Sequence, residues 1–295
     1  MLVSKLKYFI LDVFANIPYS GNPLGVFFDF GVLSSQEMQK IARELNFSET
    51  TFITSSQRVD GGYPVRIFTP THEIPFAGHP TLGTAYILHR YLESISTEDV
   101  LLNLSIGQIP VSFLDNEYWM MQQQPVFGNY FSPEILANVL GISSNAIMTD
   151  WPIVEVSTGL PFLLVPLTSL EWVRKVYIQK DVYERFARST MARGIAVFCQ
   201  EGYEAHQQVA MRVFVPELGI PEDPATGSAA GCLAAYLLKF HPQQHSKLMI
   251  TLGQGYEIDR PSEIKIQAIF DGQSYQIRVG GKVQEIAQGE WNIFR

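Results

Sequence analysis

The sequence predicts an α+β protein made of two related domains. Three observations predict it. First, 295 residues with 46% hydrophobic and 17% charged side chains can bury a substantial core, which argues against disorder. Second, β-branched and aromatic runs alternate with apolar helical patterns along the whole chain. Third, one stretch occurs twice. The first copy reads Arg66-Ile67-Phe68-Thr69-Pro70, then Ile74-Pro75, then Gly78-His79-Pro80-Thr81-Leu82-Gly83-Thr84-Ala85. The second reads Arg212-Val213-Phe214-Val215-Pro216, then Ile220-Pro221, then Asp223-Pro224-Ala225-Thr226-Gly227-Ser228-Ala229. The arginines are 146 apart (212 − 66) and the prolines Pro80 and Pro224 are 144 apart (224 − 80), so the second loop reads as two residues shorter. Both copies predict strand, loop and helix, with helix-start amides that attract carboxylates or phosphates. The alternative is that the two loops are only good helix caps.

Taken in order, Tyr8 to Phe14 and Leu24 to Phe28 read as strands around a turn from Asn16 to Gly21. Ser34-Ser35-Gln36-Glu37 is a capping-box signature, and it predicts a helix from about Ser35 to Leu45. A strand follows at Thr50 to Ile53, with Glu49 at its start, and another at Tyr63 to Thr69. Pro80 to Leu92 is the first helix of the repeated unit, with Leu82, Ala85, Leu88 and Leu92 on its apolar face. Val100 to Leu104 and Ile109 to Leu114 are strands.

The second half repeats this order. Trp119 to Gln122 is strand-like, and Ser132-Pro133-Glu134 caps a helix that stops at Gly141. Gly159-Leu160-Pro161-Phe162-Leu163-Leu164-Val165 echoes Gly21-Asn22-Pro23-Leu24-Gly25-Val26-Phe27. Asp181 to Met191 is helical, Gly194 to Cys199 is a strand, and the second repeated helix runs from about Ala225 to Phe240. Late strands fall at Leu248 to Ile250, Ile264 to Phe270 and Tyr275 to Val279. Echoes in matching order suggest a pseudo-twofold pair of domains. The domains are expected at 1–117, joined by about 283–295, and at 118–282.

Charge and composition exclude several function classes. A net charge of −8 gives no global attraction to nucleic acid or to an anionic membrane. No apolar run is long enough to span a bilayer, and the first residues lack the features of a signal peptide. The two cysteines, Cys199 and Cys232, have no metal spacing and suggest no disulfide framework, so a reducing cytosol is expected. His241 and His245 are four apart, but Pro242 breaks a shared helical face. No Walker A loop and no GxGxxG after a strand is present, so phosphate-driven and nicotinamide chemistry have no support.

Four polar residues stand out. Glu49, in Phe47-Ser48-Glu49-Thr50-Thr51-Phe52, lies between a helix end and an apolar strand. A carboxyl desolvated there would hold a raised pKa and could take and return a proton. The alternative is an exposed glutamate at the start of a strand. His79 follows Gly78 at a helix mouth, where a neutral imidazole could relay a proton; the alternative is a structural histidine. Asp223 reads as the second-half counterpart of His79, or simply as a helix N-cap. Ser228 matches Thr84, and its hydroxyl could bind a carboxylate beside the Gly227 N–H. No Gly-x-Ser-x-Gly elbow makes it a nucleophile.

Taken together, Asp12-Val13-Phe14 with Gly21-Asn22-Pro23, Ser48-Glu49-Thr50, Gly78-His79-Pro80-Thr81 with Gly83-Thr84-Ala85, and Asp223 to Ala229 resemble the PhzF phenazine-biosynthesis family. The resemblance covers essentially the whole chain. It implies a diaminopimelate-epimerase-like fold: two similar domains, each a central helix wrapped by a curved, largely antiparallel sheet, with the site in the cleft between them. It implies a cofactor-independent cytoplasmic isomerase without a metal, often a homodimer, acting on a small carboxylate-bearing metabolite similar to trans-2,3-dihydro-3-hydroxyanthranilate. It assigns proton transfer to Glu49, assisted by His79 and Asp223, and carboxylate binding to Gly78, Gly227 and Ser228. The epimerase relatives use two cysteine bases. Ala77 and Pro224 stand in those places, and the stretch matching Glu49, Arg193 to Ile195, has no carboxylate. A single base therefore favours moving a double bond over inverting a centre. An amino-acid racemase or epimerase, and a metabolite-binding protein without turnover, stay open as alternatives.

Overall fold

The computed structural model describes residues 3–93, 99–216, 220–241, 243 and 246–294. In chain order the elements are β1 (Val3–Val13), β2 (Asn22–Phe28), α1 (Ser35–Leu45), β3 (Glu49–Ile53), β4 (Tyr63–Phe68), β5 (Glu73–Ile74), α2 (Gly78–Tyr91), β6 (Asp99–Leu104), β7 (Gly107–Leu114) and β8 (Glu117–Met121). There follow β9 (Val126–Phe131), α3 (Pro133–Val139), β10 (Ile153–Ser157), β11 (Pro161–Pro166), α4 (Leu170–Lys175), α5 (Lys180–Phe186), β12 (Gly194–Cys199) and β13 (Val209–Val215). The chain ends with β14 (Ile220–Asp223), α6 (Gly227–Phe240), β15 (Lys247–Gln254), β16 (Ser262–Phe270), β17 (Tyr275–Gly281) and β18 (Val283–Phe294). The fold is α+β, a mixed sheet with few helices. Two compact units divide the chain, 1–120 with 280–295, and 121–279. No helix among the described residues is long and apolar enough to cross a membrane.

In the first unit the strands pair in the order β18, β1, β2, β3, β4, β6, β7, β8. The β2–β3 and β4–β6 joints are parallel and the rest antiparallel. A parallel joint needs a crossover, and α1 and α2 supply the two crossovers. The capping box forms as expected: the Glu37 amide donates to Ser34 Oγ at 3.3 Å, and the Ser34 amide to Glu37 Oε2 at 2.8 Å. Asn46, left-handed at φ 54°, ends α1 and turns the chain into β3.

Alternation along β3 then sorts its side chains. Phe52 faces α1, in a core with Phe27, Met38, Ile41 and Phe68. Thr51 faces α2, where it accepts a hydrogen bond from Thr84 at 2.8 Å. Glu49, two residues before Thr51, is on the α2 face. Helix α2 itself packs on β1, β2, β3, β6, β7 and β18, so strands from both flanks of the sheet order close around it. That closeness needs Gly83: a Cβ there would lie 2.5 Å from Leu24 Cδ2 and 2.9 Å from Val13 Cγ2. The C-terminal strand β18 pairs with β1 along its length, from Val3–Phe294 to Val13–Val283.

In the second unit the order is β9, β10, β11, β12, β13, β15, β16, with parallel joints at β11–β12 and β13–β15. Ile195, Val197 and Cys199 face a core built with α3, α4 and α5. The opposite face of β12 meets α6, where Phe198 packs edge-on against Tyr236 with centroids 5.4 Å apart. Nearly every residue of α6 is buried. A helix apolar all round is a core helix.

Candidate functional site

Helix α2 begins at Gly78 and its N-cap, Ala77, makes no side-chain hydrogen bond to it. His79, in the first turn, is buried. Its ring donates to the carbonyl of Pro23, at the start of β2. Its Nε2 makes no hydrogen bond, so Nδ1 carries that proton. Nε2 lies 3.5 Å from Oε2 of Glu49. Glu49 is held from the same strand, since its Cα partner on β2 is Leu24, the residue after Pro23. One end of β2 thus positions both groups.

That pair is close enough to be called an ion pair, but the electrostatics say otherwise. Burial pushes the His79 imidazolium down to about 3, and the Pro23 carbonyl restores only part. A neutral imidazole with Nδ1 protonated offers Nε2 as an acceptor. The contact is therefore one in which a protonated Glu49 can donate to His79. A contact of this length can tighten to a hydrogen bond when the reacting partner arrives.

The second unit places Asp223, Gly227 and Ser228 together. Asp223 ends β14 and is buried. Its Oδ2 accepts the Thr226 hydroxyl at 2.5 Å. Helix α6 begins at Gly227 with Ser228 buried in its first turn, and the N-cap Thr226 does not cap it with its side chain. Gln254, wholly buried at the end of β15, ties the loop together. Its Oε1 accepts the Thr226 amide at 3.1 Å, and its Nε2 donates to the Asp223 carbonyl at 2.7 Å and to Thr226 Oγ1 at 3.0 Å.

Each loop hangs on the arginine that opens the repeat. Arg66 grips Glu73 with Nε and Nη2 at 2.8 and 2.6 Å. Arg212 grips Glu222 with the same atoms at 2.9 and 2.7 Å. The fork-to-carboxylate geometry staples β5 to β4 and β14 to β13. Arg212 also donates to the carbonyls of Val173 and Val176 at 3.0 and 2.8 Å, which closes the C-terminal end of α4.

Two expected correspondences do not hold. The helix starts are 149 apart (227 − 78), against 146 for the arginines, so the second loop is three residues longer and not two shorter. Ser228, in the first turn of α6, then corresponds in position to His79. Thr84 lies in the second turn of α2 and binds Thr51 in the core. Asp223 corresponds instead to Ile74: each lies four residues ahead of its helix start (227 − 223; 78 − 74) and pairs with the residue after the repeat's arginine, Val213 or Ile67. The three extra residues fall between Arg212 and Glu222, which are 10 apart (222 − 212) against 7 for Arg66 and Glu73 (73 − 66). Thr226 and Gln254 were not singled out from sequence. An Asp-x-x-Thr spacing before a helix could have flagged Thr226; Gln254 has no local signal at all.

Neither cysteine lies at a helix start. Cys199 is on β12 and Cys232 is a turn inside α6, and burial pushes both thiols up to about 11. Among the described residues no group of three or more His, Cys, Asp or Glu could hold a metal ion. His245 and Pro242 lie outside the described residues.

Comparison with known proteins places these features in a family. The family model described as phenazine biosynthesis-like protein, PhzC-PhzF, matches residues 11–289. The chain is 34% identical over 289 residues to the trans-2,3-dihydro-3-hydroxyanthranilate isomerase of Pseudomonas aeruginosa, covering 96% of this chain and 98% of that one. A solved PhzF-family phenazine biosynthesis protein from Bacillus anthracis superposes with a TM-score of 0.90 at 28% identity, over 98% and 100% of the two chains. A hydroxyproline epimerase from Agrobacterium vitis shares the fold, with a TM-score of 0.65 at 9% identity over 99% and 92%.

Proposed function

The chain belongs to the PhzC-PhzF phenazine biosynthesis-like family and is a PhzF-like isomerase; we propose that it moves a proton, and with it a double bond, within a small carboxylate-bearing metabolite. Glu49 is the proton shuttle in this reading. Its carboxylate takes a proton from a carbon next to a double bond, the C–H electron pair becomes the new double bond, and the old double bond shifts. The same carboxyl returns a proton to the far carbon on the same face. No redox partner is needed, because the atoms and electrons balance within the substrate.

Support comes from the placement of Glu49 against a neutral, buried imidazole, which can accept a hydrogen bond from the protonated shuttle without competing for its proton. His79 keeps the carboxyl poised and Asp223 holds a polar group of the substrate. The Gly78 and Gly227 amides and the Ser228 hydroxyl take its carboxylate, as uncapped helix starts do for anions. The relatives' substrate, trans-2,3-dihydro-3-hydroxyanthranilate, has the required allylic C–H and carboxylate, and is the first compound to test.

Glu49→Gln keeps the shape and removes the base. Turnover of that compound should fall at least ~100-fold with ligand binding nearly intact. Full activity in this variant removes Glu49 from the chemistry. A racemase would instead exchange a solvent deuteron at the α-carbon of an amino acid with inversion.

A further inference from the structure

The loop that carries Asp223 contains a hydrogen-bond chain with only one consistent direction. The Thr226 amide can only donate, so the Gln254 atom facing it, 3.1 Å away, is the oxygen. The Asp223 carbonyl can only accept, so the atom facing it at 2.7 Å is the nitrogen. The side-chain amide of Gln254 therefore has no freedom to flip. That nitrogen also donates to Thr226 Oγ1 at 3.0 Å. A hydroxyl has one proton to give, and Thr226 gives it to Asp223 Oδ2. Gly255, left-handed at φ 79°, follows Gln254; a Cβ there would lie 2.6 Å from the Pro224 carbonyl, so the two loops meet closely.

We propose that Gln254 and Thr226 are positioning residues for Asp223: Gln254 fixes the Thr226 hydroxyl, and that hydroxyl, donating to Oδ2, favours the charged form of the carboxyl. The chain also holds the carboxylate plane still, so the acid–base face of Asp223 is oriented before substrate arrives. This rests on the reading that Asp223 meets the substrate, but its first test does not.

The test is carried out on the full chain with 13C-labelled aspartate, following the side-chain carboxyl resonance that vanishes in Asp223→Asn. An O–H donor favours the charged carboxylate. Thr226→Val removes the donor and keeps the shape, so the Asp223 resonance should titrate roughly one pH unit higher than in the parent. Thr226→Ser keeps the hydroxyl and should restore the parent titration. Gln254→Met, which leaves the Thr226 hydroxyl undirected, should shift it the same way by less. If the valine does not fold, Thr226→Ala against Thr226→Ser makes the same comparison. Identical titrations in the hydroxyl-free and hydroxyl-bearing variants overturn the proposal. In the kinetic arm, with trans-2,3-dihydro-3-hydroxyanthranilate, kcat in Thr226→Val should drop about 10-fold with KM changed less, recovering in Thr226→Ser. If the parent does not turn this compound over, the functional reading fails, and the carboxyl titration still decides the positioning role.

Discussion

The two units run through the same sequence of joints: antiparallel, parallel, antiparallel, parallel, antiparallel. They part company at one register position. In the first unit Leu24, after Pro23, pairs with Glu49. In the second, Phe162, after Pro161, pairs with Gly194. The next pairs agree too, since Thr50 meets Phe68 and Ile195 meets Phe214. Glu49 and Gly194 are therefore the same place in two copies of one topology. The difference is more than a missing carboxyl group. A Cβ on Gly194 would lie 2.6 Å from the Phe214 carbonyl oxygen and 2.5 Å from Val215 Cγ1. Packing has closed that position to any side chain, so the second unit has no room for a carboxylate where the first unit has Glu49.

The largest contrast to break lies in the arginine staples. Arg212 and Glu222 are both about 90% buried, with side-chain exposures of 8% and 9%, and a second carboxylate, Glu257, lies 3.7 Å away. Arg66 and Glu73 are 30% and 35% exposed. Replacing Arg212 by Met would strand two carboxylates and open the end of α4, and should cost about 3–5 kcal/mol in urea denaturation. Replacing Arg66 by Met should cost no more than about 1 kcal/mol, because water can solvate Glu73. Equal losses would mean the two staples are energetically alike despite their burial.

The next contrast is at the register position itself. Gly194→Ala should lower stability by about 1–3 kcal/mol, since the Phe214 carbonyl oxygen, 2.6 Å from the added Cβ, is backbone and cannot turn away. Glu49→Ala should be within about 0.5 kcal/mol of the parent or more stable than it, as expected of a residue held for activity. A harmless Gly194→Ala would show that the second unit's lack of a carboxylate there is only a matter of residue identity.

Much of this was legible in the chain. Helix α1 is read to the residue from Ser34 and Glu37, because a capping box is a local signal with a local cause. The strands of the repeated stretch are legible for the same reason: β-branched and aromatic runs end at prolines. Strand β9 was not, because Val126 to Phe131 interleaves Gly and Asn and lies mostly exposed. Helix α4 was missed because six residues are too few to show a period. At the site, Glu49 and His79 stand out as polar residues beside apolar runs. Their pairing across Pro23, and the hold of Gln254 on Asp223, join residues up to 56 and 31 apart (79 − 23; 254 − 223), and no spacing rule carries that information. The match of Ser228 to Thr84 failed for a related reason. A motif aligned on Gly and Ala cannot tell the first turn of a helix from the second.

The smallest contrast is between the first turns of the two helices. His79 holds that place in α2 and Ser228 in α6, so only the first unit has a titrating group there. Burial takes the His79 imidazolium from an ordinary value of 6.5 down to about 3. Between those values the unfolded chain binds a proton that the folded chain refuses. The stability tied to the neutral ring is thus complete above pH 6.5 and drains away as pH falls toward 3. Over the first unit of pH, from 6.5 to 5.5, the loss should be about 1 kcal/mol. Denaturation curves of the parent and of His79→Gln at a series of pH values isolate it, since every other group contributes to both. The gap between the two proteins should narrow as the medium is acidified. A gap that stays constant would mean that His79 takes up its proton equally in the folded and unfolded chain. The ring could then be charged beside Glu49, and would hold that carboxyl as a carboxylate instead of accepting a hydrogen bond from its protonated form.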